Sequence, residues 1–128
     1  MDLKTHRKVS PRLVGRVVRL EEGVEAVAEL ETSQEMAVDG HGLVHGGFTF
    51  GLADYAAMTA VNHPNVVLGG ADCRFVAPVK VGEMMVARAS VKGREGRRRD
   101  VEVEVSVEGR KVFEGVFKCY ILDKYVFE

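Results

Sequence analysis

The stretch Gly46-Gly47-Phe48-Thr49-Phe50-Gly51-Leu52-Ala53-Asp54-Tyr55-Ala56-Ala57-Met58-Thr59-Ala60-Val61-Asn62 decides how this chain folds. Its latter part is rich in good helix formers, with alanines at 53, 56, 57 and 60. It is apolar nearly all round, which predicts a buried helix rather than one with a face in water. At about 1.5 Å per residue it spans roughly 24 Å, enough to cross a sheet. Asn62-His63-Pro64-Asn65 ends it, because a residue that precedes proline resists the helical region.

On either side the chain reads as strands. Leu13 to Leu20 is one, with Gly15 as its bulge. Glu21-Glu22-Gly23 then turns the chain into Val24 to Leu30, where Val24, Ala26, Ala28 and Leu30 share a face. Residues 32–45 lack periodicity and read as a loop. After the helix come four more runs: Val66 to Val76, Val81 to Val91, Val101 to Val107 and Lys111 to Leu122. In the third, Glu102, Glu104 and Ser106 take the wet side; in the fourth, Phe113, Phe117 and Ile121 fall together. Glu108-Gly109 is a hairpin turn between those last two. Two strands, a helix and four strands argue an α+β fold with a curved antiparallel sheet around one central helix. Open sheets keep edge strands, which commonly pair between subunits, so a homodimer is expected.

Composition agrees. At 128 residues the chain is a single domain, residues 1–128, with residues 1–12 as a short N-terminal arm. Valine occurs 23 times and isoleucine once, and β-branched side chains suit a pleated, half-buried surface. A formal net charge of −1 gives no electrostatic case for nucleic acid. No apolar run is long enough to span a membrane, and Met1 to Arg12 is polar and basic rather than a leader. Cys73 and Cys119 read as buried core residues in a reducing compartment, which points to the cytoplasm.

The residues that carry chemistry are few. Asp54 is the only charged side chain between Gly46 and Asn62, and it lies too deep in the helix to cap it. A lone carboxylate there is costly to bury without a partner. It either satisfies a buried donor or faces a cleft with a raised pKa, as a base or nucleophile. His45-Gly46-Gly47 precedes the helix, where free N–H groups and the dipole favour a developing oxyanion. An ordinary glycine-rich junction is the alternative. His41 and His45 have no partner at metal-ligand spacing, so no metal is expected. Lys92-Gly93-Arg94-Glu95-Gly96-Arg97-Arg98-Arg99 is the one basic cluster, either a solvated hairpin tip or a phosphate clamp.

His45-Gly46-Gly47-Phe48-Thr49-Phe50-Gly51-Leu52-Ala53-Asp54 resembles the H-G-G-x-x-x-x-L-A-D signature of hotdog-fold acyl-CoA thioesterases, nearest the phenylacetate-pathway type and related to 4-hydroxybenzoyl-CoA thioesterase. The likeness runs on through Ala56, Ala57 and Asn62 into Gly70 to Gly82, and covers about 100 residues when strand order is counted. The resemblance implies the hotdog fold. It also implies dimers, often paired as dimers of dimers, with sites at subunit interfaces. It gives Gly46 the backbone N–H that polarises the thioester carbonyl, Asp54 the role of nucleophile or general base, and His45, the third catalytic candidate, a positioning role or a substrate contact. Where many members carry Asn, this chain has Asp39, a second carboxylate that would raise the pKa of Asp54, disable the site or face solvent.

The expected activity is hydrolysis of an acyl-CoA to free acid and coenzyme A. Coenzyme A is then part of the substrate and no cofactor is needed. Asp39, Gly47 and the Arg97, Arg98 and Arg99 run are the candidate substrate contacts. Two alternatives stand beside it. One is a non-catalytic acyl-CoA sensor, although twelve residues ahead of the first strand cannot form a helix-turn-helix. The other is a hotdog hydratase or dehydratase.

Overall fold

The computed structural model describes all 128 residues. Strands β1 (Arg16–Glu21) and β2 (Glu25–Glu31) form a hairpin. Helix α1 (Gly46–Val61) follows, and then β3 (Val66–Phe75), β4 (Met84–Glu95), β5 (Arg98–Val107) and β6 (Arg110–Ile121). All six strands join one antiparallel sheet in the order β1-β2-β4-β5-β6-β3. The sheet curves around α1, which is the hotdog arrangement.

Alternation along the strands explains the core. Ala26, Ala28 and Leu30 of β2, Met85, Ala87 and Ala89 of β4, and Val101, Val103, Val105 and Val107 of β5 all turn inward and are buried. Small side chains on β2 and β4 let a helix of alanines approach the sheet. Leu52 and Met58 then fill the gap, each contributing roughly 2 kcal/mol by burial. On β6, Phe113 and Phe117 close the other flank against Phe50 of the helix, with ring centroids 6.4 and 5.3 Å away.

The helix ends where the sequence places it. Asn62 adopts the left-handed conformation (φ 51°) that stops a helix, and its side chain is buried. Its Oδ1 accepts from Lys4 N–H, and its Nδ2 donates to Asp2 O and to Glu22 Oε1. One side chain thus joins the helix terminus, the β1–β2 turn and the N-terminal arm.

Four expectations are corrected. Gly15 is not a bulge: at φ +127° it lies in the turn before β1, where Ser10 O accepts from the N–H groups of Leu13, Val14 and Gly15. A Cβ there would lie 2.8 Å from Glu29 O and from a Leu52 methyl, so the glycine lets the chain approach closely, and the bulge falls between Val17 and Arg19. Residues 32–45 hold a 3-10 turn, Gln34–Met36, and bridges Ala37–Val44 and Leu43–Lys80. The β4–β5 hairpin is longer than hydrophobicity suggests, with pairing that reaches Glu95 and Arg98. Cys119 is buried as expected, but Cys73, on the edge strand β3, is only half-buried, and both are free thiols.

Candidate functional site

His45 caps α1. Its Nδ1 accepts from Gly47 N–H at 2.7 Å, and its carbonyl accepts from Phe48 N–H at 3.1 Å. Gly46 N–H has no acceptor, so it is the free donor of the first turn. The Phe75 ring lies over it: a Cβ on Gly46 would meet that ring at 3.1 Å. Phe75 in turn packs edge-on against Phe113, with centroids 5.1 Å apart. An apolar cleft of about 370 Å³ opens beside this donor, with walls from Val44, Thr49, Phe75, Pro78 and Val112. Phe75 is exposed at the end of the edge strand, and the alternation of Val66 to Val76 carries no local signal of its place beside Gly46.

Asp54 lies two turns further along α1. The residue is half-buried, yet its Oδ1 is sealed from solvent and has no hydrogen-bond partner. Burial raises its pKa from 3.8 to about 6, and no neighbouring charge contributes. Cys119 of β6 is close enough to feel this charge; burial first, then Asp54 and Asp100, push its thiol up to about 12. That thiol stays protonated at neutral pH and does not compete as a nucleophile. A desolvated carboxylate with a pKa near 6 is suited to general-base or nucleophilic work at pH 7.

Asp39 takes no part in that shift. It is exposed, and its Oδ1 accepts from His41 N–H at 2.8 Å in a tight turn. Gly47 is committed to His45. No group of three or more His, Cys, Asp or Glu side chains gathers anywhere in the fold. No helix is long and apolar enough to cross a membrane.

The arginine cluster is at the other end of the sheet. Register places Arg98 beside Tyr120, whereas Phe75, near Gly46, pairs with Phe113. The strands between put roughly 25 Å between the two ends. The three arginines also divide. Arg97 pairs with Asp123 and Arg98 with Asp100. Arg99 points to the other face of β5 from Arg98 and has only the carbonyls of Gly96 and Arg98 as partners.

Comparison with known proteins accords with this geometry. Residues 41–114 match the family model of the thioesterase superfamily, and the chain belongs to that family. Among solved structures it is similar to the uncharacterized protein PH1136 from Pyrococcus horikoshii, at 53% identity and a TM-score of 0.97, covering 100% of this chain and 98% of that one. It is also similar to a mutant of phenylacetic acid degradation protein PaaI from Thermus thermophilus, at 32% identity and a TM-score of 0.78, covering 86% and 95%.

Two longer curated proteins match as well. One is methylthioribose-1-phosphate isomerase from Aquifex aeolicus, 45% identical over 126 residues, which are 98% of this chain and 27% of the isomerase. The other is transcription factor FapR from Caldanaerobacter subterraneus subsp. tengcongensis, 29% identical over 125 residues, 94% of this chain and 62% of the factor. The chain therefore spans about a quarter of the first and under two thirds of the second.

Proposed function

We propose that this chain hydrolyses an acyl-CoA thioester, with Asp54 as base or nucleophile and Gly46 N–H as oxyanion donor. The observation that carries the reading is the buried, unpartnered Oδ1 of Asp54 on an otherwise apolar helix. An isolated carboxylate is an expensive thing to keep in a core, and its pKa of about 6 leaves it mostly ionised at pH 7.

The helix dictates how such a site is assembled. Gly46 and Asp54 are eight residues apart, about 12 Å along the axis. One carbonyl cannot touch both groups of one chain. A second copy, paired along the open edge of β3 and related by a two-fold axis, would bring Gly46 of one helix opposite Asp54 of the other. The thioester would then lie between two copies. The Gly46 amide would receive the carbonyl oxygen as it gains negative charge. Asp54 would attack the carbonyl carbon or take a proton from the attacking water, and coenzyme A would leave as its thiol. The apolar cleft beside Phe75 gives the substrate a dry wall next to the amide.

The test is free-thiol release from a panel of aryl and aliphatic acyl-CoAs, with Asp54→Asn alongside. Turnover that disappears in the variant supports the reading; equal turnover in both removes it.

A sensing role is the second reading. The likeness to FapR favours it, since that name belongs to a transcription factor and its likeness covers nearly this whole chain. Saturable acyl-CoA binding without product would support it. The isomerase name belongs to a protein three quarters of which has no counterpart here, and no isomerase activity is proposed. Hydration of an enoyl-CoA would instead support a hydratase, for which the His45 and Asp54 arrangement gives little ground: His45 is turned to its own helix cap.

A further inference from the structure

The hairpin β4–β5 outruns the helix, and its last inward residues have no apolar partner. Inward positions on β4 run Met85, Ala87, Ala89 and Val91, and on β5 they run Val107, Val105, Val103, Val101 and Arg99. Strict alternation on β4 would bring Gly93 and Glu95 inward next. It does not, because the register slips between Val91 and Gly93 and leaves Lys92 as one extra residue. Arg94 therefore faces inward, directly opposite Arg99. Glu95 faces outward with Arg98.

Two arginines opposite each other on one face repel unless something answers their charge. No carboxylate does. Arg94 donates to Gly23 O, and Arg99 donates to the carbonyls of Gly96 and Arg98. The acids of this end have other partners: Glu22, which lines the same cleft, is held by Lys4 and Asn62, Asp100 by Arg98, and Asp123 by Arg97. Both guanidinium groups line a cleft of about 450 Å³ that also receives Lys4, His63 and the carboxylate Glu22. His63 accepts from Asn65 N–H at Nδ1, which leaves its Nε2 as the protonated nitrogen and a further donor. The cleft carries an excess of positive charge on a chain whose net charge is −1.

We propose that this cleft binds a phosphate group, gripped by the forks of Arg94 and Arg99. Planar guanidinium pairs match phosphate oxygens bidentately, and a phosphodiester or diphosphate would answer both at once. The phosphates of coenzyme A are one source: the cleft lies beyond Asn62, about 12 Å past Asp54 on the same helix, a gap that a pantetheine arm bridges. A separate phosphorylated ligand is the other. Only the coenzyme A assignment rests on the thioesterase reading; the site itself does not.

The experiment titrates inorganic pyrophosphate calorimetrically into the wild-type chain, the double variant Arg94→Ala/Arg99→Ala, and Arg88→Ala. Arg88 is an arginine of the outer face without an ion-pair partner and controls for loss of charge alone. Saturable binding that weakens at least about tenfold in the double variant and holds in Arg88→Ala is the expected result. No saturable binding to the wild type, or equal binding by the double variant, overturns the proposal. The source is read from KM. A rise for benzoyl-CoA but not for benzoyl-pantetheine assigns the site to coenzyme A; an unchanged KM with lost pyrophosphate binding assigns it to another phosphorylated ligand. Pyrophosphate binding is read without turnover, so a chain that cleaves no thioester still tests the site.

Discussion

Gly46 N–H and the Asp54 carboxylate lie on one helix but two turns apart, so no single carbonyl can reach both within a chain. This separation makes a sharp genetic prediction. Gly46→Pro removes the amide hydrogen at a helix position where proline is tolerated, His45 already has the extended backbone (φ −61°, ψ 131°) that proline demands of its predecessor, and the exposed Phe75 ring, 3.1 Å from the added Cβ, has to give slightly. Gly46→Pro and Asp54→Asn should each be nearly inactive alone. Unfolded and refolded together as an equal mixture, they should recover about a quarter of wild-type thiol release, because half the dimers are mixed and each has one intact site. No recovery in verified mixed dimers would show that the two groups do not meet across an interface.

Under the proposed hydrolysis, with Asp54 as base or nucleophile, its raised pKa would set the acid limb of activity. The ionised form is the base or nucleophile, so kcat/KM should rise with pH through about 6 and then level off. A pH profile of thiol release measures it. A limb near pH 4 would mean that the carboxylate is solvated in the assembled protein.

The same shift predicts stability with the opposite sense. Below about pH 4, Asp54 is protonated whether the chain is folded or unfolded, and its burial costs little. Between pH 4 and 6 the unfolded chain ionises first and stability falls. Above pH 6 the cost is constant. Asp54→Asn should therefore be more stable than wild type by about 1–3 kcal/mol at pH 7, with the gap closing by pH 4. Denaturant titrations at the two pH values read this directly.

His45 has a structural duty that can be separated from any substrate contact. His45→Ala removes the acceptor for Gly47 N–H and should cost about 1 kcal/mol, whereas His45→Asn keeps a cap and should lose much less. Thermal denaturation measures the cost. If His45→Asn is stable but impaired in turnover, the imidazole also touches substrate.

Asn62 should be the most sensitive polar residue away from the site. Asn62→Gly keeps the left-handed backbone but loses three hydrogen bonds and strands Lys4 N–H, so a loss of about 2–3 kcal/mol is expected. Amide hydrogen exchange should rise over residues 2 to 6, which that side chain tethers. Unchanged exchange there would mean that the arm is held by its apolar contacts, Leu3 and Val9, instead.

The architecture was legible because two periodicities dominate the chain. An alanine-rich stretch with one charge can only be an interior helix, and the 2-residue alternation from Val101 to Val107 admits only a half-wet strand. Errors arose where backbone geometry departs from pattern. Gly15 serves a turn rather than a bulge, and the run of charges from Lys92 to Arg99 hid three residue pairs at the hairpin's end. Asp54 stood out by chemistry alone, and the structure adds its sealed oxygen. The arginines show the limit most clearly: adjacent in sequence, Arg98 and Arg99 serve opposite faces, and the partner that Arg99 meets is Arg94.

That last pairing lies just past the single extra residue Lys92, which bulges out of the ladder. A deletion of one codon there would straighten the ladder and leave Gly93, Arg94 and Glu95 opposite Asp100, Arg99 and Arg98, so both arginines would still face inward. The hairpin would remain, and no arginine would be lost. The like-charged pair is thus fixed by how the hairpin's end pairs, not by the count of residues that lead up to it.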